Sequence, residues 1–186
     1  MAEKLRIISG KFKGRVIQAP ANLPVRPTTD FGRTGLFNLL ASRWQFDAPA
    51  LDLFSGLGSV GFECLSRGAP EVWSVDNHLP CLKFQKQFAA LLGLDSLKVH
   101  CRSVTDFLQD SLHPEFGLIF ADPPYGMDGI ADIPQLVFSG NWLLPDGWLV
   151  IEHNGAVNWP QINRPGFTRN YGKVHFSFFQ NHSIGQ

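Results

Sequence analysis

The stretch that most restricts what this chain can fold into is Gly56-Leu57-Gly58-Ser59-Val60-Gly61. It follows a short apolar run, Ala50-Leu51-Asp52-Leu53-Phe54, and opens a segment from Ser59 to Arg67 that reads as a helix closed by Gly68. Asp76 stands twenty positions after Gly56, at the end of the next apolar run, Glu71 to Val75. Strand, glycine turn, helix, strand and terminal acid in this spacing describe a βαβ unit that binds an adenosine-bearing ligand. The glycines let backbone approach the ligand, and the helix start offers N–H groups that no helical carbonyl takes. A carboxylate after the second strand suits two adjacent ribose hydroxyls. Asn77 follows it at the same tip.

The alternation continues beyond this unit. Leu79 to Leu92 reads as a helix ended by Gly93, Leu97 to His100 as a third strand, and Thr105 to Asp110 as a short helix. Gly117 to Ala121 and Gly147 to Glu152 read as a fourth and fifth strand. Such order predicts an α/β fold with a mostly parallel sheet and helices on both faces. The C-terminus departs from it. Only Gly172-Lys173 separates Thr168–Tyr171 from Val174–Phe179, and a turn that tight requires an antiparallel pair.

The N-terminal quarter has a different character. Leu5 to Ser9 and Arg15 to Gln18 are β-prone, with glycine at both ends of the Gly10-Lys11-Phe12-Lys13-Gly14 segment between them, so a hairpin with a basic tip is expected. A proline-spaced connector from Pro20 to Pro27 leads to Thr28-Thr29-Asp30, which offers N-caps for a helix over Phe31 to Ser42. Net charge is zero over 186 residues, yet residues 1–45 carry eight basic and two acidic side chains while the rest carries eight basic and fourteen acidic. A basic extension (1–45) on an acidic body (46–186) points to a polyanion gripped by Arg6, Lys11, Lys13 and Arg15, with a merely solvated hairpin as the plain alternative.

Two acids speak to chemistry. The glycine loop alone does not separate NAD(H) from S-adenosyl-L-methionine. Asp52, inside the first strand, would repel a pyrophosphate but favours a cation-bearing cofactor; an Asp that only caps local N–H groups would suit either. Asp122-Pro123-Pro124-Tyr125 directly follows the fourth strand, where ligands bind in open α/β sheets. An aromatic amine is a poor nucleophile because its lone pair is delocalised. Asp122 Oδ and the Pro123 carbonyl can accept both of its N–H groups and aim that lone pair at a methyl donor. Proline removes competing donors and fixes φ. Tyr125 supplies a face for a base taken out of its helix. The plain alternative is a strand-ending Asp-Pro turn.

With both elements in place, the chain resembles the Rossmann-like S-adenosylmethionine-dependent methyltransferases. Within them it is similar to the bacterial 16S rRNA guanine-N2 methyltransferase family typified by RsmD. Four stretches carry the likeness: Arg6 to Arg15, Arg26-Pro27-Thr28-Thr29-Asp30 with Leu36-Phe37-Asn38, Asp52 to Ala69, and Ile119 to Tyr125. The resemblance implies a seven-stranded sheet whose last strand is antiparallel. It also implies cofactor contacts from Asp52, Phe54, Ser55, Gly56, Gly58, Asp76, Asn77, Ser103 and Val104. Arg26, Thr28 and Thr29 would lie over the cofactor carboxylate or the RNA backbone. The implied partner is 16S rRNA, free or in a small ribosomal subunit or its assembly intermediate, met by a cytoplasmic monomer. Departures are visible: Phe31-Gly32-Arg33-Thr34 stands where the family usually reads Arg-Val-Arg-Glu, Ser103-Val104 stands where an Asp or Asn before Ala is common, and Gly117 replaces an Asp.

Composition narrows the rivals. Hydrophobic residues at 44% support a packed core, and no run approaches membrane-spanning length. Three scattered cysteines, expected to be buried, indicate neither disulfides nor zinc, and six histidines show no ligand spacing, so no metal is expected. Trp142, Trp148 and Trp159 read as packing residues. A DNA adenine-N6 methyltransferase would share the Asp-Pro-Pro-Tyr element but leaves little chain for a DNA-reading domain. An NAD-dependent oxidoreductase would need a catalytic acid or base such as a Tyr/Lys pair, which this sequence does not show and which Asp52 opposes. A non-catalytic RNA-binding module would not need the element facing a cofactor loop.

Overall fold

The structure is a computed structural model that describes residues 4–20, 23, 30–155, 157–159 and 166–182. It opens on a small antiparallel hairpin of β1 (Lys4–Arg6) and β2 (Val16–Gln18), followed by α1 (Asp30–Ala41). The body then runs β3 (Ala50–Leu53), α2 (Ser59–Arg67), β4 (Val72–Asp76), α3 (Leu79–Leu92), β5 (Leu97–Cys101), α4 (Val104–Phe107) and β6 (Phe116–Ala121). A 3-10 turn at Ile130–Asp132 leads into α5 (Ile133–Ser139), and β7 (Leu143–His153), β8 (Gly166–Tyr171) and β9 (Val174–Gln180) complete it. The helices predicted at Ser59–Arg67 and Leu79–Leu92 are found at those bounds because each ends on a glycine in the left-handed region, Gly68 at φ 119° and Gly93 at φ 65°.

Seven strands form one sheet in the order β5-β4-β3-β6-β7-β9-β8. The first five in that order are parallel; β9 is antiparallel to both β7 and β8. The strand order reverses between β3 and β6, which places the ligand crevice of an open α/β sheet at their C-terminal tips. Period-two alternation splits the core into two layers. Leu118, Phe120, Val150, Phe176 and Phe178 face α1, α2 and α3, while Leu53, Ile119, Ala121, Leu149 and Ile151 face α4 and α5.

Three features depart from the sequence reading. Helix α5 was not anticipated, because seven residues between Gly129 and Gly140 are too few to establish a helical period. Strand β7 begins at Leu143 rather than Gly147: Leu143 pairs with Phe116, and an irregularity then carries the register to Leu118 with Trp148. Cys101 is exposed, unlike the buried Cys64 and Cys81. Trp142 and Trp148 are buried, and Trp159 donates to Ser177 Oγ at 3.1 Å. None of the helices is long and apolar enough to cross a membrane, among the described residues.

The hairpin is held by side chains from α2 and α1. Glu63, fully buried, accepts the Ile8 and Ser9 N–H groups at 2.8 and 3.0 Å and the Arg67 Nε at 2.8 Å. Ser66 accepts the Lys11 N–H at its carbonyl (2.7 Å) and the Phe12 N–H at its hydroxyl (3.0 Å). A Cβ on Gly10 would lie 1.8 Å from Ser66 O, so only glycine allows this docking. Arg33, counted above with the basic arm, is 1% exposed and donates to Arg6 O at 2.8 Å. It braces the hairpin from α1 and presents no surface charge.

Candidate active site at the strand tips

Register alone brings the chemistry-bearing residues together. Asp52 pairs with Ser74 on one side and Phe120 on the other, and Phe120 pairs with Val150. Side chains two residues farther along these strands share that face. They are Asp76, Asp122 and Glu152, one row nearer the C-terminal tips; Phe54, past the end of β3 and at φ 57°, leaves this alternation and packs against the layer that faces α4 and α5. Together with Asp52, these rows form the floor of a cavity of about 620 Å³. That volume falls within the range of roughly 300–1,000 Å³ usual for small-molecule sites.

The glycine loop forms one wall. Phe54 is forced to φ 57°, a left-handed conformation a bulky residue takes only under constraint, at a cost of roughly 1–3 kcal/mol. The constraints are visible. Ser55 N–H donates to Val75 O at 3.1 Å, Gly56 N–H to Asp76 Oδ2 at 2.8 Å, and Gly58 N–H to Ser55 O at 2.7 Å. From behind, Gln85 Nε2 donates to Ser55 Oγ and Gly56 O at 2.9 and 2.8 Å. A Cβ on Gly58, at φ 75°, would press on that Gln85 side chain at 2.8 Å. Gly58 therefore serves the turn and does not line the cavity, whereas Phe54, Ser55 and Gly56 do. Gln85 escaped the sequence reading. Its one signal was a polar side chain on the otherwise apolar inner face of α3.

The acids are arranged differently. Asp52 Oδ2 accepts the Gly61 N–H at 3.0 Å, which ties β3 to the first turn of α2. Burial pushes its carboxyl up to about 8; the Gly61 hydrogen bond opposes this and Asp76 adds to it. Asp76 accepts Gly56 N–H at one oxygen and His78 N–H at the other, both at 2.8 Å, and each oxygen keeps lone-pair capacity for a hydroxyl. Asn77 and Val104 line the cavity, as does Ser103, whose hydroxyl accepts the Asp106 N–H at 3.1 Å as the cap of α4. One of its acceptor positions remains.

Asp122, Pro123, Pro124 and Tyr125 form the wall opposite the loop. The Asp122 N–H donates to Leu53 O at 3.3 Å, and Tyr125 is 60% exposed at the rim. Burial holds the Asp122 carboxyl well above the usual range, with the negative charges of Glu152 and Asp52 adding to the effect. Glu152 is 3% exposed and lines the same cavity. The sequence reading ended β7 on it but gave it no role; a carboxylate at the tip of a buried parallel strand was the available signal.

The predicted RNA-contacting residues lie elsewhere. Arg6, Lys11, Lys13 and Arg15 are exposed on the hairpin and none lines the cavity. The hairpin docks at Glu63 and Ser66, while Ser59 and Val60 of the same helix line the cavity. At 1.5 Å per residue the two are separated by roughly 4–11 Å along α2. Arg26, Thr28 and Thr29 lie outside the described residues.

Known proteins resemble this chain in sequence and fold. The family model described as Conserved hypothetical protein 95 matches residues 5–180. The ribosomal RNA small subunit methyltransferase D of Haemophilus influenzae is 31% identical over 160 residues, covering 80% of this chain and 78% of its own. The Escherichia coli K12 protein of the same name is 28% identical over 190 residues, covering 98% and 93%. The solved structure of Escherichia coli yhhF superposes with a TM-score of 0.85 at 27% identity, covering 97% of this chain and 99% of the other. A family match over nearly the whole length, on a sheet with this strand order and this cavity, establishes that the chain belongs to the Conserved hypothetical protein 95 family of RsmD-like methyltransferases.

Proposed function

We propose that this protein transfers a methyl group from S-adenosyl-L-methionine to the exocyclic N2 of a guanine in 16S rRNA. The observation that carries this reading is the placement of Asp122 to Tyr125 on the β6 tip, across one cavity from the glycine loop. The residues fit the cofactor. Asp76 has lone pairs for ribose hydroxyls, Ser103 keeps an acceptor for the adenine amine, and the buried Asp52 favours a cation. Asn77 and Val104 would flank the adenosine. When bound, the cofactor supplies an electrophilic methyl on a sulfonium.

The chain's own residues do the rest. Asp122 and the Pro123 carbonyl accept the two N–H groups of the target amine and turn its lone pair toward the methyl. Preorganised acceptors there stabilise positive charge developing on nitrogen, as an oxyanion hole stabilises the opposite charge. Pro124 keeps the turn free of a competing donor, and Tyr125 stacks on the extruded base. Residues 1–45 act as an RNA-binding extension: Arg6, Lys11, Lys13 and Arg15 hold phosphates flanking that base, with Arg26, Thr28 and Thr29 joining from the connector. The relatives named for small-subunit ribosomal RNA support the substrate class. On this reading a cytoplasmic monomer acts on rRNA within the small subunit or its assembly intermediate.

The test is transfer of labelled methyl to small-subunit rRNA and ribonucleoprotein from cells lacking the protein, with the product nucleoside identified by mass spectrometry. N2-methylguanosine formed by the wild type and lost in Asp122→Ala is expected. Label in adenine of DNA, with none in rRNA, would replace this reading by a DNA adenine-N6 methyltransferase.

A further inference from the structure

We propose that Glu152 selects guanine by accepting the N1–H of the target base beside the amine held by Asp122; this rests on the guanine-N2 reading above. Ala121 pairs with Ile151 in the parallel β6–β7 ladder, so Asp122 and Glu152 leave the sheet side by side on the same face. Both line the cavity, and the Glu152 residue is 3% exposed. On its other side Glu152 pairs with Phe176, whose ring is fully buried, so the neighbouring strand places an apolar side chain there. Val174, two residues earlier on the same strand and face, closes the wall with an apolar surface. Among the described residues, the base end of the cavity therefore presents two neighbouring carboxyl groups beside the apolar Phe176 and Val174.

Base chemistry turns that pair into a filter. Guanine offers two adjacent donors, N1–H and the N2 amine. Adenine places its N6 amine next to a bare N1 lone pair, and cytosine places its N4 amine next to a bare N3 lone pair. Glu152 as an ionised carboxylate only accepts hydrogen bonds, and the Asp122 carboxyl accepts the amine through its carbonyl oxygen even when it holds a proton. The pair therefore complements the guanine edge, whereas Glu152 faces a lone pair in the other two. An extruded base is read along this Watson–Crick edge. One carboxylate at the amine would serve any of the three bases; the second restricts the choice to guanine. Sites built around a substrate N–H reject analogues that lack it strongly, because the buried acceptor is left unpaired.

The test replaces the target guanosine, once located by mass spectrometry, with 2-aminopurine riboside in the same rRNA. That analogue keeps the 2-amino group, exchanges N1–H for a lone pair and lacks O6, so it is the change in the ratio between wild type and variant that isolates the N1 contact. For the wild type, kcat/KM is expected to fall on the order of 10⁴-fold with the analogue. For Glu152→Gln, whose amide can either accept or donate, the two substrates are expected to come within a few-fold of each other. If Glu152 only supplies negative charge or packing, the variant loses the same factor on both substrates and the ratio stays put, which overturns the proposal. Cofactor binding by calorimetry reports whether the variant is folded. Should it not fold, a wild type that methylates both substrates equally overturns the proposal by itself, and wild-type discrimination against 2-aminopurine but not against 6-thioguanosine, which keeps N1–H and replaces O6 by sulfur, supports it. A wild type that forms no N2-methylguanosine in any rRNA form overturns the guanine-N2 reading, an outcome distinct from an unchanged ratio.

Discussion

The cavity and the hairpin both concentrate charge, but in opposite physical settings. At the strand tips Asp52, Asp122 and Glu152 are packed into one cavity, where burial pushes protons onto Asp52 and Asp122, with Asp76 adding to the effect on the first and Glu152 and Asp52 to that on the second. On the hairpin, Arg6, Lys11, Lys13 and Arg15 extend into solvent, and the buried partner, Glu63, grips backbone and Arg67. Buried charges are few and individually consequential, because low dielectric magnifies each one. Solvated charges act as a sum, screened by salt and largely interchangeable. The first region is suited to one reaction on one group, the second to holding a long polyanion.

The sharpest way to break the contrast is at Asp122. Asp122→Ala is expected to lower kcat on the order of 10²–10³-fold while cofactor affinity, measured by calorimetry, changes little. Next comes the acid that anchors the hairpin. Glu63→Ala leaves the Ile8 and Ser9 N–H groups and Arg67 without their acceptor, and should cost about 3 kcal/mol in urea denaturation. RNA affinity should fall more than cofactor affinity in that variant. Equal losses in both would show that the hairpin and the cavity are one mechanical unit.

A pH series sharpens the comparison further. In the ligand-free fold Asp52 keeps its proton up to about pH 8, whereas an unfolded chain releases it near the ordinary value of 3.8. The folded state then holds more protons between these values, so this group's contribution to stability is lost as pH rises through that window. A cationic cofactor favours the ionised form, so its affinity should rise between about pH 6 and 8. Asp52→Asn should flatten both slopes, and an unchanged affinity profile would remove Asp52 from cofactor binding. The smallest effects are expected on the hairpin. Lys11→Ala, Lys13→Ala or Arg15→Ala should each weaken RNA binding a few-fold and lower the salt slope by about one, with methyl transfer to saturating RNA unchanged.

How legible all this was depended on the length scale of the signal. The βαβ unit is visible because its information is local: an apolar run, glycines at fixed offsets, and a carboxylate where the next strand ends. The Asp122–Tyr125 element is legible for the same reason, since four consecutive residues carry its chemistry. Gln85 and Glu152 were not legible. Gln85 sits in a helix found at its expected bounds and Glu152 in a strand whose C-terminal half was expected, but each acts only on residues 29 to 30 positions away or on a neighbouring strand. Arg33 was misread because charge counting takes no account of burial, and its guanidinium had a backbone carbonyl 27 residues away to serve.

The sequence by itself determined the alternation of strands and helices, the glycine turn, the antiparallel end and the residue types at the tips of β3, β4 and β6. Periodicity and backbone sterics act over a few residues, so one dimension records them. Only the tertiary structure decided that Asp76, Asp122 and Glu152 share one row of one face. It also decided that Asp52 is buried enough to hold a proton near neutrality, and that a fully buried glutamate on α2 holds the basic hairpin in place. Those facts depend on strand register and on exclusion of water, which arise when distant segments pack together.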